Sequence, residues 1–242
     1  MDFFVIDPKD RILVALDVET RDSAVGLADS LRGSVGGFKI GSRLFTSEGP
    51  SMVRTLTDRG ERVFLDLKYH DIPNTVATAV AAASQLGVWM VNVHASGGTA
   101  MMRAARDAAH ESAARTGQRA PLVIAVTVLT SMNQAALKEG GIVIDLMDQV
   151  LRLAELTKEA GLDGVVASPR ETAGIRKRCG EDFVIVTPGI RAADAAKDDQ
   201  ERTMSPGEAV AAGANYLVVG RPIIAAPDPA AAAAAIVGGL KS

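Results

Sequence analysis

Asp66 and Lys68 stand two residues apart in the run Val63-Phe64-Leu65-Asp66-Leu67-Lys68. In a strand, side chains alternate between the two faces. Val63, Leu65 and Leu67 then form an apolar face, and Phe64, Asp66 and Lys68 share the other. An ammonium held where negative charge develops can stabilise it and then deliver a proton. The same pair could be only a buried ion pair, which often stabilises no more than apolar residues would. An interior built for stability alone would carry Val, Ile or Leu here, so the run favours chemistry. Asp17 closes the run Ala15-Leu16-Asp17 with charge, and Lys39 lies within the run Phe38-Lys39-Ile40-Gly41, from where it can approach the same place. Asp71 lies three residues past Lys68, before Ile72-Pro73-Asn74-Thr75. From spacing alone it reads as a residue that helps start the next helix.

The elements that must position these charges follow from hydropathy. Apolar runs rich in β-branched residues predict strands at 12–17, 37–41, 63–68, 90–95, 122–129, 164–168, 183–188 and 216–221. Helical patterns fall at 22–31, 45–59, 74–87, 98–116, 144–160, 169–179, 205–212 and 229–240. Strand and helix in alternation imply a parallel sheet with right-handed crossovers. Eight such units in 242 residues predict an α/β fold, a (β/α)8 barrel forming a single domain over 1–242. The alternative is an open doubly wound sheet, but no GxGxxG follows the first strand. In a barrel the C-terminal strand ends face the mouth. Asp17, Lys39, Asp66, Lys68 and Arg221 all fall near such ends.

An anion site is predicted beside them. Strand eight ends Val219-Gly220-Arg221, and strand seven ends Thr187-Pro188-Gly189-Ile190-Arg191. Gly220 allows close backbone approach, and Arg221 offers a planar fork of donors. Loops after strands seven and eight commonly hold phosphate in this fold. Segment 189–204 is polar and long for a connection. It reads as a lid closing over substrate, or as a short helix on a solvated loop.

Composition removes several classes. Hydrophobic residues make up 48% and aromatics 4%, with a net charge of −3. A packed globular chain is expected, without the basic stripe or stacking platform of a nucleic-acid partner. The single cysteine, Cys179, closes no intrachain disulfide and suits a reducing cytoplasm. The first residues carry acids and do not read as a signal peptide, and no apolar run is long enough for a membrane span. Three histidines, His70, His94 and His110, have unrelated spacings and predict no metal site. His94 reads as a hydrogen-bonded core residue.

The segment Asp66-Leu67-Lys68-Tyr69-His70-Asp71-Ile72-Pro73-Asn74-Thr75 resembles the D-x-K-x-x-D-I-x-x-T signature of the orotidine 5'-phosphate decarboxylase family. Ala15-Leu16-Asp17, Phe38-Lys39-Ile40-Gly41, Val93-His94-Ala95, Leu129-Thr130-Ser131, Thr187 to Arg191, Gln200 and Gly220-Arg221 are similar to further family segments. The resemblance implies conversion of orotidine 5'-phosphate to uridine 5'-phosphate (UMP) and carbon dioxide, the last step of de novo pyrimidine synthesis, without metal or organic cofactor. It implies that Lys68 protonates C6 and that Asp66 lies beside the departing carboxylate. Lys39 and Asp17 would contact the ribose hydroxyls. Thr130 and Pro188 would lie at the base, and Arg191, Gln200, Gly220 and Arg221 at the phosphate. Asp71, Ile72 and Thr75 would complete the site of the second subunit of a homodimer, which replaces the helix-start reading of Asp71.

Two other readings remain. Magnesium-dependent sugar-phosphate decarboxylases or aldolases resemble the D-x-K-x-x-D pattern, but typically carry an acid where this chain has Lys39. A non-catalytic phosphometabolite-binding barrel would use Gly220 and Arg221 but leave Asp66 and Lys68 without a purpose.

Overall fold

Every predicted strand forms in the computed structural model, which describes residues 6–190 and 204–240. They are β1 Ile12–Ala15, β2 Gly37–Gly41, β3 Val63–Tyr69, β4 Met90–His94, β5 Leu122–Val126, β6 Gly164–Val166, β7 Val184–Thr187 and β8 Tyr216–Val219. Each pairs in parallel with its neighbours in sequence, and β1 pairs with β8 to close the barrel. Closure leaves no free sheet edge among them. The predicted (β/α)8 barrel is therefore the observed one.

Period-two alternation divides the core into two shells. Leu13, Ala15, Phe64, Met90, Ile124, Val126, Val166, Val186 and Val218 fill the barrel interior. Val14, Ile40, Val63, Leu65, Val91, Ala125 and Ile185 point outward against the helices. The interior cluster is extended by Trp89 and Tyr216, whose rings meet edge to face at 5.0 Å. Arg62 lies 4.1 Å over the Trp89 ring. These groups belong to the N-terminal strand ends, so that end is plugged and the opposite end is left for polar residues.

The surrounding helices are α1 Arg21–Leu31, α2 Ser42–Glu48, α3 Pro50–Thr57, α4 Pro73–Ser84, α5 Gly98–Thr116, α6 Gln134–Glu139, α7 Leu146–Glu159, α8 Thr172–Cys179, α9 Pro206–Ala211, α10 Arg221–Ile224 and α11 Pro229–Gly238. Several start on capping side chains, among them Thr20, Asn133, Asp145, Ser205 and Asp228. The helix predicted at 45–59 is two helices. Gly49 adopts φ 70° at the junction and Pro50 cannot supply the N–H that would continue the first. The short α6 and α10 were not predicted, because neither has enough turns to show a period. No helix of the described residues is long and apolar enough to cross a membrane.

Several strands end earlier than hydropathy predicts, although β2 ends as predicted and β3 runs on to Tyr69. Asp17 lies two residues beyond β1, Thr130 in a turn beyond β5, Pro188 just after β7, and Arg221 opens α10 instead of ending β8. All four remain at the C-terminal mouth. The parallel ladder stops while the apolar run continues into the loops.

Candidate active site

The mouth is built on the interior shell. Ala15 is the last interior residue of β1, and Asp17 projects two residues further along the same face. β2 supplies Lys39, whose backbone is in register with Ala15 on one side and Phe64 on the other. β3 supplies Asp66 above Phe64, opposite Gly41 of β2. β4 supplies Asn92 above Met90.

These side chains form an alternating chain of charge. Lys39 Nζ lies 3.1 Å from Asp17 Oδ1 and 3.5 Å from Asp66 Oδ2. Lys68 Nζ donates to Asp66 Oδ1 at 2.6 Å. Side-chain exposure grades from 9% at Lys39 and 13% at Asp66 to 34% at Lys68 and 51% at Asp17. Lys39 and Asp66 thus form a buried base for the array, and Lys68 reaches from it towards the mouth. Removing one member would leave its partner charge desolvated and unpaired.

Glycine makes room for this chain. A Cβ at Gly41 would stand 2.8 Å from Lys39 Nζ and 3.4 Å from Asp17 Oδ1. At Gly220 it would lie 3.6 Å from the Ala15 Cβ and 3.9 Å from Asp17 Oδ2, so Gly220 borders the same cavity mouth without crowding it.

Lys68 departs from the strand that carries it. Its φ is 54°, the only positive value at a described non-glycine residue. A left-handed conformation of this kind costs about 1–3 kcal/mol and persists only where surroundings enforce it. The β3–β4 register shifts between Leu65 and Tyr69. The Lys68 N–H, turned out of the ladder, donates to Asn92 Oδ1 at 2.8 Å. Asn92 Nδ2 donates to Asp66 Oδ1 at 2.7 Å. Asn92 is fully buried. Sequence reasoning assigned it no role. The signal was present: the interior face of β4 reads Met90, Asn92, His94, and a buried inward amide needs partners.

His94 is half-buried, with its ring 5.4 Å from that of His70. Burial, then the nearby His70 and Lys68, push its pKa below the ordinary value. Its ring forms no hydrogen bond among the described residues, so the expected hydrogen-bonded core histidine is found only in its partial burial.

Asp71 stands apart from the array. Its carboxylate accepts the adjacent Ile72 N–H at 2.6 Å, and the N-cap of α4 is Ile72, without a side-chain cap bond. Spacing alone suggested a helix start at Asp71; the helix begins without its help. Asp71, Ile72 and Thr75 are all exposed, Ile72 at 67%. Thr130, Pro188 and Gly220 are half-buried around the mouth, and Arg221 is exposed. Arg191, Gln200 and most of the predicted lid lie outside the described residues. The ends of that segment meet in a parallel bridge between Ile190 and Met204.

Comparison with known proteins agrees with this fold. The family model described as orotidine 5'-phosphate decarboxylase / HUMPS family matches residues 10–236. The orotidine 5'-phosphate decarboxylase of Moorella thermoacetica is 56% identical over 229 residues, covering 94% of this chain and 91% of the relative. That of Syntrophotalea carbinolica is 53% identical, with 96% of each chain covered. Among solved structures, the orotidine 5'-phosphate decarboxylase of Lactobacillus acidophilus superposes with a TM-score of 0.85 at 37% identity, covering 96% of this chain and 99% of the other. An uncharacterized conserved protein from Geobacillus kaustophilus superposes with a TM-score of 0.83, also at 37% identity, covering 95% and 99%. On this similarity along nearly its whole length, the chain belongs to the orotidine 5'-phosphate decarboxylase / HUMPS family.

Proposed function

We propose that the chain is one catalytic domain that decarboxylates orotidine 5'-phosphate to UMP and carbon dioxide, with Lys68 as proton donor. The observation that carries this reading is the Asp17-Lys39-Asp66-Lys68 array, with its last ammonium directed to the barrel mouth.

In the reaction the C6–carboxylate bond breaks and its electron pair stays on C6. Carbon dioxide leaves, and a proton must reach the same carbon. The Lys68 ammonium stabilises the developing carbanion and transfers that proton to it, leaving a neutral amine that regains a proton from water. Asp66 holds the ammonium in place and faces the departing carboxylate. Lys39 and Asp17 bind the ribose hydroxyls. Thr130 and Pro188 border the pyrimidine. Arg221, Gly220, Arg191 and Gln200 bind the phosphate. Phosphate is remote from C6, so its binding energy serves closure of 189–204 and assembly of the site. Asp71, Ile72 and Thr75, exposed in one subunit, enter the neighbouring site of a cytoplasmic homodimer.

The family model also covers HUMPS proteins, so a magnesium-dependent sugar-phosphate reaction is the second reading. Lys39 argues against it here. Its ammonium occupies the place between Asp17 and Asp66 where a dication shared by those carboxylates would sit. The deciding experiment follows pyrimidine absorbance with orotidine 5'-phosphate, with and without EDTA. Turnover unchanged by EDTA is expected. Absent turnover, or turnover that EDTA abolishes and magnesium restores, overturns the reading.

A further inference from the structure

Asn92 is a neutral residue at the centre of a charged array, and its two amide atoms have different partners. One faces the Lys68 N–H, which can only donate. The other faces the Asp66 carboxylate, which accepts. The amide orientation is therefore determined by chemistry: oxygen towards Lys68, nitrogen towards Asp66. The reversed amide would set donor against donor and acceptor against acceptor.

We infer that Asn92 is a positioning residue that sets the geometry of the Lys68–Asp66 pair. This inference rests on the decarboxylase reading. Two hydrogen bonds carry it. The Lys68 N–H has left the β3–β4 ladder, and Asn92 Oδ1 supplies the acceptor that the shifted register withholds. That bond stabilises the left-handed backbone from which the Lys68 side chain returns over Asp66. Asn92 Nδ2 and Lys68 Nζ both donate to Asp66 Oδ1, at 2.7 and 2.6 Å. Together they fix the carboxylate rotation, so that Oδ2 faces Lys39. A single planar amide thus ties backbone, acid and ammonium into one rigid unit.

Other residue types fail on chemistry. Leucine has the size but neither polar atom. Aspartate retains an acceptor for the Lys68 N–H but loses the donor, and places a carboxylate against Asp66. Only when protonated does the introduced carboxyl recover a donor. Among the described residues, Lys39 and Lys68 meet the same Asp66 carboxylate, His94 follows on β4 with His70 beside it, and β5 presents Ile124 and Val126 to the interior.

The test compares Asn92→Asp and Asn92→Ala with the unaltered enzyme, by turnover of orotidine 5'-phosphate against pH and by UMP titration. Misplacement of a reacting group by about 1 Å costs on the order of 10²-fold in rate, so kcat near neutrality should fall about 10- to 10²-fold in Asn92→Asp. UMP affinity should stay within about threefold, because Asn92 lies against the reacting pair and not the phosphate site. The Asn92→Asp profile should rise towards acid relative to the unaltered enzyme, and Asn92→Ala should show no such recovery. An Asn92→Asp variant with unaltered kcat and profile overturns the inference, as does an equal loss of kcat and UMP affinity. If neither variant folds, amide exchange of the unaltered protein decides. A Lys68 N–H protected relative to the exposed Asp71 N–H supports the hydrogen bond, and an unprotected one overturns it. Failure of the unaltered enzyme to turn over counts against the decarboxylase reading alone, since amide exchange still reports on Asn92.

Discussion

Lys68 and Asp66 are two residues apart on β3, and their side chains meet at 2.6 Å across a backbone that is left-handed at Lys68. The ammonium is thereby anchored at one end of a carboxylate whose other oxygen faces Lys39. An ammonium held in this way needs little reorganisation when charge develops beside it.

Replacing Lys68 by alanine should remove both the cation and the proton. Turnover of orotidine 5'-phosphate should fall by more than about 10³-fold, since loss of one preorganised donor alone costs up to that amount. UMP should still bind, because the proposed phosphate site is untouched. Near-normal turnover in the absorbance assay would remove Lys68 from its assigned role.

Gly41→Ala tests whether the array tolerates displacement. The new Cβ would stand 2.8 Å from Lys39 Nζ, the far end of a flexible side chain. Lys39 is buried and must give up part of its pairing to move aside, so stability should fall by about 1–3 kcal/mol while the barrel still folds. Its pairs with Asp17 and Asp66 cannot both survive that movement. Catalytic efficiency should fall on the order of 10²-fold. Unchanged kcat/KM in a folded variant would show that Lys39 placement does not matter.

Subunit mixing tests the exposed Asp71 segment. Homodimers of Lys68→Ala and of Asp71→Ala should each be nearly inactive. Refolded together in equal amounts, half of the dimers are mixed, and one site in each mixed dimer has both residues intact. Activity should return to about a quarter of the unaltered level in a two-fold symmetric dimer with shared sites. No recovery despite demonstrated subunit exchange would place Asp71 within its own subunit's site, and an active Asp71→Ala homodimer would place it outside catalysis.

His94 predicts an acid limit to stability. Its pKa is lowered from the ordinary 6.5 by burial and by His70 and Lys68. The unfolded chain takes up this proton near pH 6.5, and the folded protein only at lower pH. Stability contributed by neutral His94 is therefore complete above about pH 6.5 and is lost as pH falls towards the lowered folded value. Urea unfolding over this window should show linked uptake of up to about one proton per molecule on unfolding. His94→Gln should flatten that dependence. An equal slope in the variant assigns the effect elsewhere.

The strands and their faces were legible in the sequence because strand periodicity is a local property. Phe64 and Asp66 point inward, and Leu65 outward, as the alternation of β3 requires. Charges at the ends of apolar runs were legible as a barrel mouth for the same reason, although β1, β5, β7 and β8 end before the runs do. The Gly49-Pro50 break could have been read from its residue types, since the pair cannot continue a helix.

What the sequence by itself determined is the barrel, its inward faces and the set of charges at one end. Tertiary structure decided which of those charges meet. Lys39 bridges Asp17 and Asp66 because the register sets Gly41 opposite Asp66 and leaves space for the ammonium. Asp71 lies outside the array because β3 ends before it. Asn92 joins Lys68 to Asp66 because the β3–β4 ladder slips beside them, and no local pattern encodes a slip between strands. Side-chain alternation is written within one strand, but register is a contact between two.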